Sequence, residues 1–447
     1  MSIEKKIRCH FYGREKSPNL VLLCRVRVFS FLLLLVFVFS SIILRAQNVD
    51  YARYCLEKLT SKNFHGRGYV KNGDLKAAKF VVGEFEKSGL QHFGDNYFQD
   101  YSFAINTFPG RINIKLDKNN LIAGKDYVIS CSNSSTNGIF NLVYIPDSIN
   151  NDSLFGDYIF KNKFNKDDVI VVSANLRKSY GKEIEGVKGV IILTEKTPWW
   201  HVSNGYNTNK SLWVKIVKTK FSEKPKTISV KFENKFIEAY QTQSVISFVK
   251  GKKYPEKFFV FTAHYDHLGM MGNKTYFPGA NDNGSGISML LDLARHYSIP
   301  ENKPDYSIAF MAFSGEEAGL YGSKFYSNNP LFPLEDIKLL VNLDMVGTGS
   351  NGITVVNSSI YKNLLEQMRE INDEKKYLKQ IKERGESCNS DHCPFYQKGV
   401  KSVFIYTMGK EHLEYHTIND DADNFPFTAY NGLFKLLNDL EKETKEN

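Results

Sequence analysis

From residue 245 onward the chain repeats one pattern: a short apolar run, a His, Asp or Glu at its end, then a helix-forming stretch. Phe258–Ala263, Ser307–Phe313, Leu339–Leu343 and Val403–Tyr406 are near-continuous apolar runs, the signature of strands covered on both faces. Helices are expected at about 284–297, 317–328, 360–373 and 428–445. In the last, Tyr430, Leu433, Phe434, Leu437 and Leu440 fall on one face. Strands alternating with helices predict an α/β fold, a three-layer α/β/α arrangement around a mostly parallel (mixed) sheet. Such sheets collect ligands at the carboxyl ends of their strands.

Those ends carry metal-binding side chains. Phe258–Ala263 runs into His264-Tyr265-Asp266, Ser307–Phe313 into Ser314-Gly315-Glu316-Glu317, and Leu339–Leu343 into Asp344. Asp282 lies just before a helix, and Val403–Tyr406 leads to a loop with His412, Tyr415 and His416. Each residue alone reads as a turn, a cap or a surface group. Together on one sheet edge, Asp282, Glu317 and Asp344 would repel one another unless cations were present. Imidazole and carboxylate ligands without thiolate suit zinc, with cobalt or manganese as substitutes. Five ligands serve two metals if Asp282 bridges, His264 and Asp344 completing one and Glu317 and His416 the other. Metals sharing a carboxylate sit about 3.5–4 Å apart and can hold one hydroxide between them. Adjacent side chains on an extended segment diverge, so Glu316 is free to act as the general base beside ligand Glu317. Asp266 is placed to accept the second N–H of the His264 ring.

The rest of the chain reads differently. Residues 50–100 open with helix, Asp74 being a candidate cap and Gly89 a stop. Residues 106–244 hold short β-rich runs, Ile139–Ile145, Val169–Val172 and Val190–Leu193, between Asn, Ser, Lys and Gly clusters. The expected division is therefore residues 47–105 and 245–447 as one domain, with 106–244 as an inserted β-rich domain. The three Trp of this stretch, Trp199, Trp200 and Trp213, read as core or as a substrate-facing rim. The net charge of +9 sits mostly in residues 1–47, with eight Lys/Arg and two Glu. No basic stripe interleaved with aromatics marks a nucleic-acid surface. Residues 1–46 read as a secretory signal peptide, a basic lead before the apolar run Val28–Leu44 and small Ala46. An uncleaved anchor is the rival reading. Either places the rest outside the cytoplasm, secreted, periplasmic or membrane-anchored. Cys388 and Cys393 are close enough to pair, or to remain two free thiols.

At these residues the chain resembles the M28 family of zinc aminopeptidases. The likeness lies in His264-Tyr265-Asp266-His267-Leu268-Gly269, Gly279–Gly286, the run from Ser314 to Ser323, Asn342-Leu343-Asp344-Met345, Ser390-Asp391-His392 and Tyr415-His416-Thr417. The resemblance implies two Zn2+ per chain on the ligands named, Glu316 as general base, and a metal-bridging hydroxide attacking the N-terminal peptide bond of peptide or protein substrates. It further implies that residues 106–244 are a protease-associated-like insertion, for which Asp167–Ser173 and Gly186–Val190 have the right character. Some members place a tyrosine near the Ser-Asp stretch to polarise the substrate carbonyl. Here His392 stands there, as an N–H donor for that task or as a structural loop residue. Other peptidase specificities (carboxypeptidase, dipeptidase) would use the same metals and base. A glutaminyl-cyclase-like acyltransferase would not need all five ligands, and an inactive binding protein on this fold would be expected to lose some.

Overall fold

The computed structural model describes residues 49–173, 184, 186–206 and 208–443. The leader reading of residues 1–46 lies outside them. Among the described residues no helix is long and apolar enough to cross a membrane.

Eight strands form the sheet that carries the site: β1 (Phe98–Thr107), β2 (Lys235–Val249), β3 (Tyr254–His264), β4 (Tyr306–Phe313), β5 (Ile337–Leu343), β6 (Ile353–Val356), β7 (Ile381–Glu383) and β8 (Ser402–Thr407). Their spatial order is β1-β2-β4-β3-β5-β8-β6-β7. The middle four, β4-β3-β5-β8, are mutually parallel. β1 and β2 add antiparallel at one edge, and β6 turns antiparallel to β8 at the other. The sheet is thus mixed around a parallel centre, and four strand ends share one edge.

Alternation places side chains on both faces of that sheet. Phe259, Phe261 and Ala263 of β3 and Ile308, Phe310 and Ala312 of β4 join one apolar cluster; Phe258, Val260, Ala309, Met311 and Phe313 join another. Helices α1 (Val49–Thr60), α2 (Gly73–Lys87), α3 (Gly286–Ser298), α5 (Lys362–Lys375) and α7 (Tyr430–Glu443) cover the first face. The short α4 (Tyr321–Asn328) and α6 (His392–Gln397) contribute Tyr326 and Phe395 to the second. Burying each such aromatic or aliphatic side chain contributes about 1.5–3 kcal/mol. A one-residue slip would exchange both faces of a strand, so the strand ends are fixed in register.

Asp74 does not cap α2. The N-cap position is Asn72, and the buried Asp74 carboxylate accepts the hydroxyls of Tyr240 (2.6 Å) and Thr242 (2.9 Å) from β2.

The chain leaves this sheet at Thr107 and returns at Lys235, two residues that pair directly. Between them a second eight-stranded sheet contains 136–144, 168–173, 189–194 and 212–217 as parallel neighbours. A helix, Asp152–Lys161, packs Phe155 against one face with Ile170, Val172, Val190, Ile192 and Trp213. The other face shares a cluster with Tyr69, Phe103, Leu268 and Phe277 of the first layer system.

Candidate metal centre

His264 is the last residue of β3, Glu316 and Glu317 follow β4, and Asp344 follows β5. These three strands are parallel neighbours, so their ends deliver the side chains to one place. Asp282 arrives from the loop before α3, where Gly279 takes φ 63° and Gly286 lets the backbone touch the Leu343 carbonyl; a Cβ at either would collide with neighbouring main chain. His416 comes from the loop after β8.

The two oxygens of Asp282 face different histidines. Oδ1 is 3.4 Å from His264 Nε2, and Oδ2 is 2.9 Å from His416 Nε2. His264 Nε2 is also 3.5 Å from Asp344 Oδ1 and 3.9 Å from Glu316 Oε2. His416 Nε2 is 3.2 Å from Glu317 Oε2. All five sequence-expected ligands and Glu316 therefore lie together. His267, which the sequence reading passed over, joins them with Nδ1 2.6 Å from Glu317 Oε1. Two separate groups could each hold a cation, His264 with Glu316 and Asp344, and His267 with Asp282 and Glu317. Buried Asp344 Oδ1 has no hydrogen-bond partner among the described residues. An unpartnered carboxylate oxygen in an acidic, imidazole-rich pocket fits divalent zinc.

The carboxylates and histidines of this pocket shift one another strongly. Burial alone would lower the His264 pKa, yet Glu316 and Asp344 drive it well above the ordinary value. His416 is likewise opposed by burial but carried up to about 11 by Glu317 and Asp282. Burial would raise Glu317, but His416 and His267 bring it to about 2.

Three supports were not legible in the sequence. Arg67, fully buried, donates to the main-chain carbonyls of Tyr265, Pro278, Gly279, Asp282 and Leu59, tying the His264 strand end to the Asp282 loop. Asp420 accepts the backbone N–H groups of Asn281 and Asp282 (2.8 and 3.2 Å). Ser390 Oγ donates to Asp344 Oδ2 at 2.7 Å. The Ser390 loop is closed by a disulfide between Cys388 and Cys393.

The geometry sharpens two expectations. His264 Nδ1 faces the main-chain oxygen of Asp266 (3.2 Å), while the Asp266 carboxylate is 3.7 Å away. That carboxylate also accepts the Tyr69 hydroxyl (2.7 Å) and the backbone N–H groups of Glu316 and Glu317 (3.3 and 3.4 Å). It therefore positions the glutamate pair as well as acting on the histidine ring. His392 turns Nε2 to the Ser387 carbonyl at 2.8 Å and packs against Phe404. Burial lowers its pKa to about 4, and the charge acting on it is that of Arg384, outside the metal cluster. It is engaged in its own loop.

Residues 244–439 match the model of Peptidase family M28. Aminopeptidase YwaD of Bacillus subtilis (strain 168) is 31% identical over 264 residues, 55% of this chain and 55% of that protein. The chain spans about half or less of the length of the curated relatives it matches. Among solved structures, a zinc aminopeptidase from Bacillus subtilis aligns with a TM-score of 0.66 and 22% identity, over 89% of this chain and 96% of that one. A peptidase M28 precursor from Shewanella amazonensis SB2B aligns with a TM-score of 0.68 and 15% identity, over 89% and 93%. At these identities the structural likeness establishes the fold.

Proposed function

The chain carries a Peptidase family M28 domain over residues 244–439, and from that premise we propose that it is a zinc-dependent aminopeptidase releasing residues from the free N-terminus of peptides. The carrying observation is the divided Asp282 carboxylate, one oxygen toward His264 and the other toward His416. Asp282 would bridge two zinc ions, His264 and Asp344 completing one site and Glu317 and His416 the other. Zinc seated there would supply Lewis acidity toward the scissile carbonyl and the attacking water.

The chain's own groups do the rest. Glu316 takes the water's proton and returns it to the leaving amine. Burial, with the charges of Asp391, Glu317 and Asp344, lifts its carboxyl well above the ordinary range despite His264, and a carboxyl held by no close histidine is the one left to move a proton. Asp266 holds the backbone of Glu316 and Glu317 in place. Tyr415, half-exposed and stacked on His416 at 3.8 Å, takes the carbonyl-polarising role in place of His392. Burial and the charges of Asp282, Glu317, Asp344 and Glu316 keep its hydroxyl protonated, hence a donor.

We also read residues 106–244 as a protease-associated-like insertion, on the strength of their separate sheet, and the chain as acting outside the cytoplasm, which the Cys388–Cys393 bridge favours. N-terminal sequencing of the exported protein tests the latter. The main test sets aminoacyl chromogenic substrates against N-blocked peptides, with zinc quantified on the same sample. Cleavage only of free-amine substrates, with near two zinc per chain, is expected. Equal cleavage of blocked peptides would overturn the aminopeptidase reading.

A further inference from the structure

One loop of the insertion, residues 199–206, is built into the metal centre. Trp200 pairs with His416 through two bonds: its N–H donates to the His416 carbonyl (2.9 Å), and its carbonyl faces His416 Nδ1 (3.0 Å). A carbonyl only accepts, so Nδ1 carries a proton, and the ring is held with Nε2 turned to Asp282 and Glu317. The Trp200 indole is itself fixed, donating to the Ile129 carbonyl (2.8 Å) and stacking on Phe277, two residues before Gly279. Farther along, Asn204 donates to the Tyr321 hydroxyl (3.3 Å) at the start of α4, just past Glu316 and Glu317. The loop thus grips both walls of the site, the His416 side and the Glu316–Glu317 side.

On either side of Trp200 in the chain stand Trp199 and His201. His201 Nδ1 is buried with no hydrogen-bond partner among the described residues; burial first, then the charge of Lys215, lowers its pKa to about 4, with smaller effects from His416 and Glu317. Its ring centroid is 5.4 Å from that of Trp199, which is 48% exposed. Lys215 Nζ lies 3.6 Å from the Trp199 ring centroid. A cation on one face of an indole opposes a second cation on the other and leaves that face to apolar or aromatic groups.

We propose that this loop is a wall of the substrate site, with His201 and Trp199 as specificity-determining residues supplied by the insertion. His201 offers its imidazole to a main-chain polar atom of the bound peptide. Trp199 is the platform for a bulky apolar or aromatic side chain, and Lys215 behind it excludes lysine and arginine. This rests on the aminopeptidase reading for the identity of the ligand as a peptide, but not on turnover.

The test measures binding and cleavage separately. Binding is read by calorimetry on the zinc-loaded Glu316→Gln protein with phenylalanyl, alanyl and lysyl p-nitroanilides. Cleavage of the same three is read with Glu316 intact. Trp199→Ala is expected to weaken phenylalanyl binding about tenfold, alanyl binding less than about threefold, and to narrow the discrimination against lysyl. His201→Ala is expected to raise Kd and KM for all three by about fivefold to tenfold, the range of one lost hydrogen bond. Zinc content and melting temperature should hold in both variants. If both variants bind and cleave like the parent, the wall assignment fails while the aminopeptidase reading stands. If the parent binds in this pattern yet never cleaves, the activity reading fails and the wall stands. If zinc content falls in step with binding, the loop acts only through His416 and the proposal is overturned. Absence of both binding and cleavage overturns both.

Discussion

Glu316 and Glu317 are chain neighbours with opposite situations. Glu317 is locked between His267 (2.6 Å) and His416 (3.2 Å), whereas the nearest histidine nitrogen to Glu316 is 3.9 Å away. Glu316→Gln should therefore keep its zinc, measured by atomic absorption, and lose kcat by about 100-fold to 10,000-fold, the range for a positioned proton shuttle. Full activity in that variant would remove Glu316 from the mechanism. Asp74 gives a prediction about stability. Burial lifts its pKa to about 6, against the bonds from Tyr240 and Thr242 that lower it. The folded protein thus holds a proton that the unfolded chain releases near pH 4. Raising the pH from about 4 to about 6 should cost about 3 kcal/mol of stability through this group. Asp74→Asn should flatten that part of the denaturant-midpoint profile; an unchanged slope would mean that Asp74 is ionised throughout. At this scale the sequence showed the groups that end strands, because apolar runs announce their own termini. It could not show Arg67 or Asp420, which act on the centre through main-chain atoms, nor the task of Ser390, whose motif was noted but whose hydroxyl reaches Asp344 from a remote loop. His267 carried a signal, standing three residues after His264, that was passed over.

Elements were legible where an apolar pattern was long. The four buried runs became β3, β4, β5 and β8, and the four expected helices lie within a few residues of their observed bounds. β6 and β7, with four and three residues, are too short to show a period. The insertion helix Asp152–Lys161 buries only Phe155 and so has no apolar stripe, although Asn151, which caps it through the Leu154 N–H, was a readable start. The α6 entry loop is the element whose chemistry is easiest to perturb. Its disulfide has an exposed end at Cys388 and closes a loop too short to stabilise the whole chain much by entropy. Its effect is local: it holds Ser390 on Asp344 and Asp391 on Ser323 (2.5 Å). Cys388→Ser with Cys393→Ser should weaken zinc retention against a competing chelator by about threefold to tenfold, with the melting temperature nearly unchanged. Retention equal to the parent would show that the loop is held without the bridge.

For the whole molecule, folding gathers Asp282, Glu316, Glu317 and Asp344 into one pocket beside buried Arg67, His264 and His416. An ion that binds only this folded arrangement stabilises it in proportion to the logarithm of its concentration, about 4 kcal/mol at a thousand times Kd. The melting temperature should fall after dialysis against chelator and rise stepwise with added zinc. Because zinc must displace protons from His264 and His416, both held above their ordinary values, the rise should grow from pH 6 to pH 8. Variants separate the ion's structural effect from catalysis. Glu316→Gln should keep the zinc-dependent rise while inactive. Asp282→Ala removes the carboxylate that faces both histidines, so its rise should nearly vanish. A full zinc response in Asp282→Ala would mean that the two sites do not share that carboxylate.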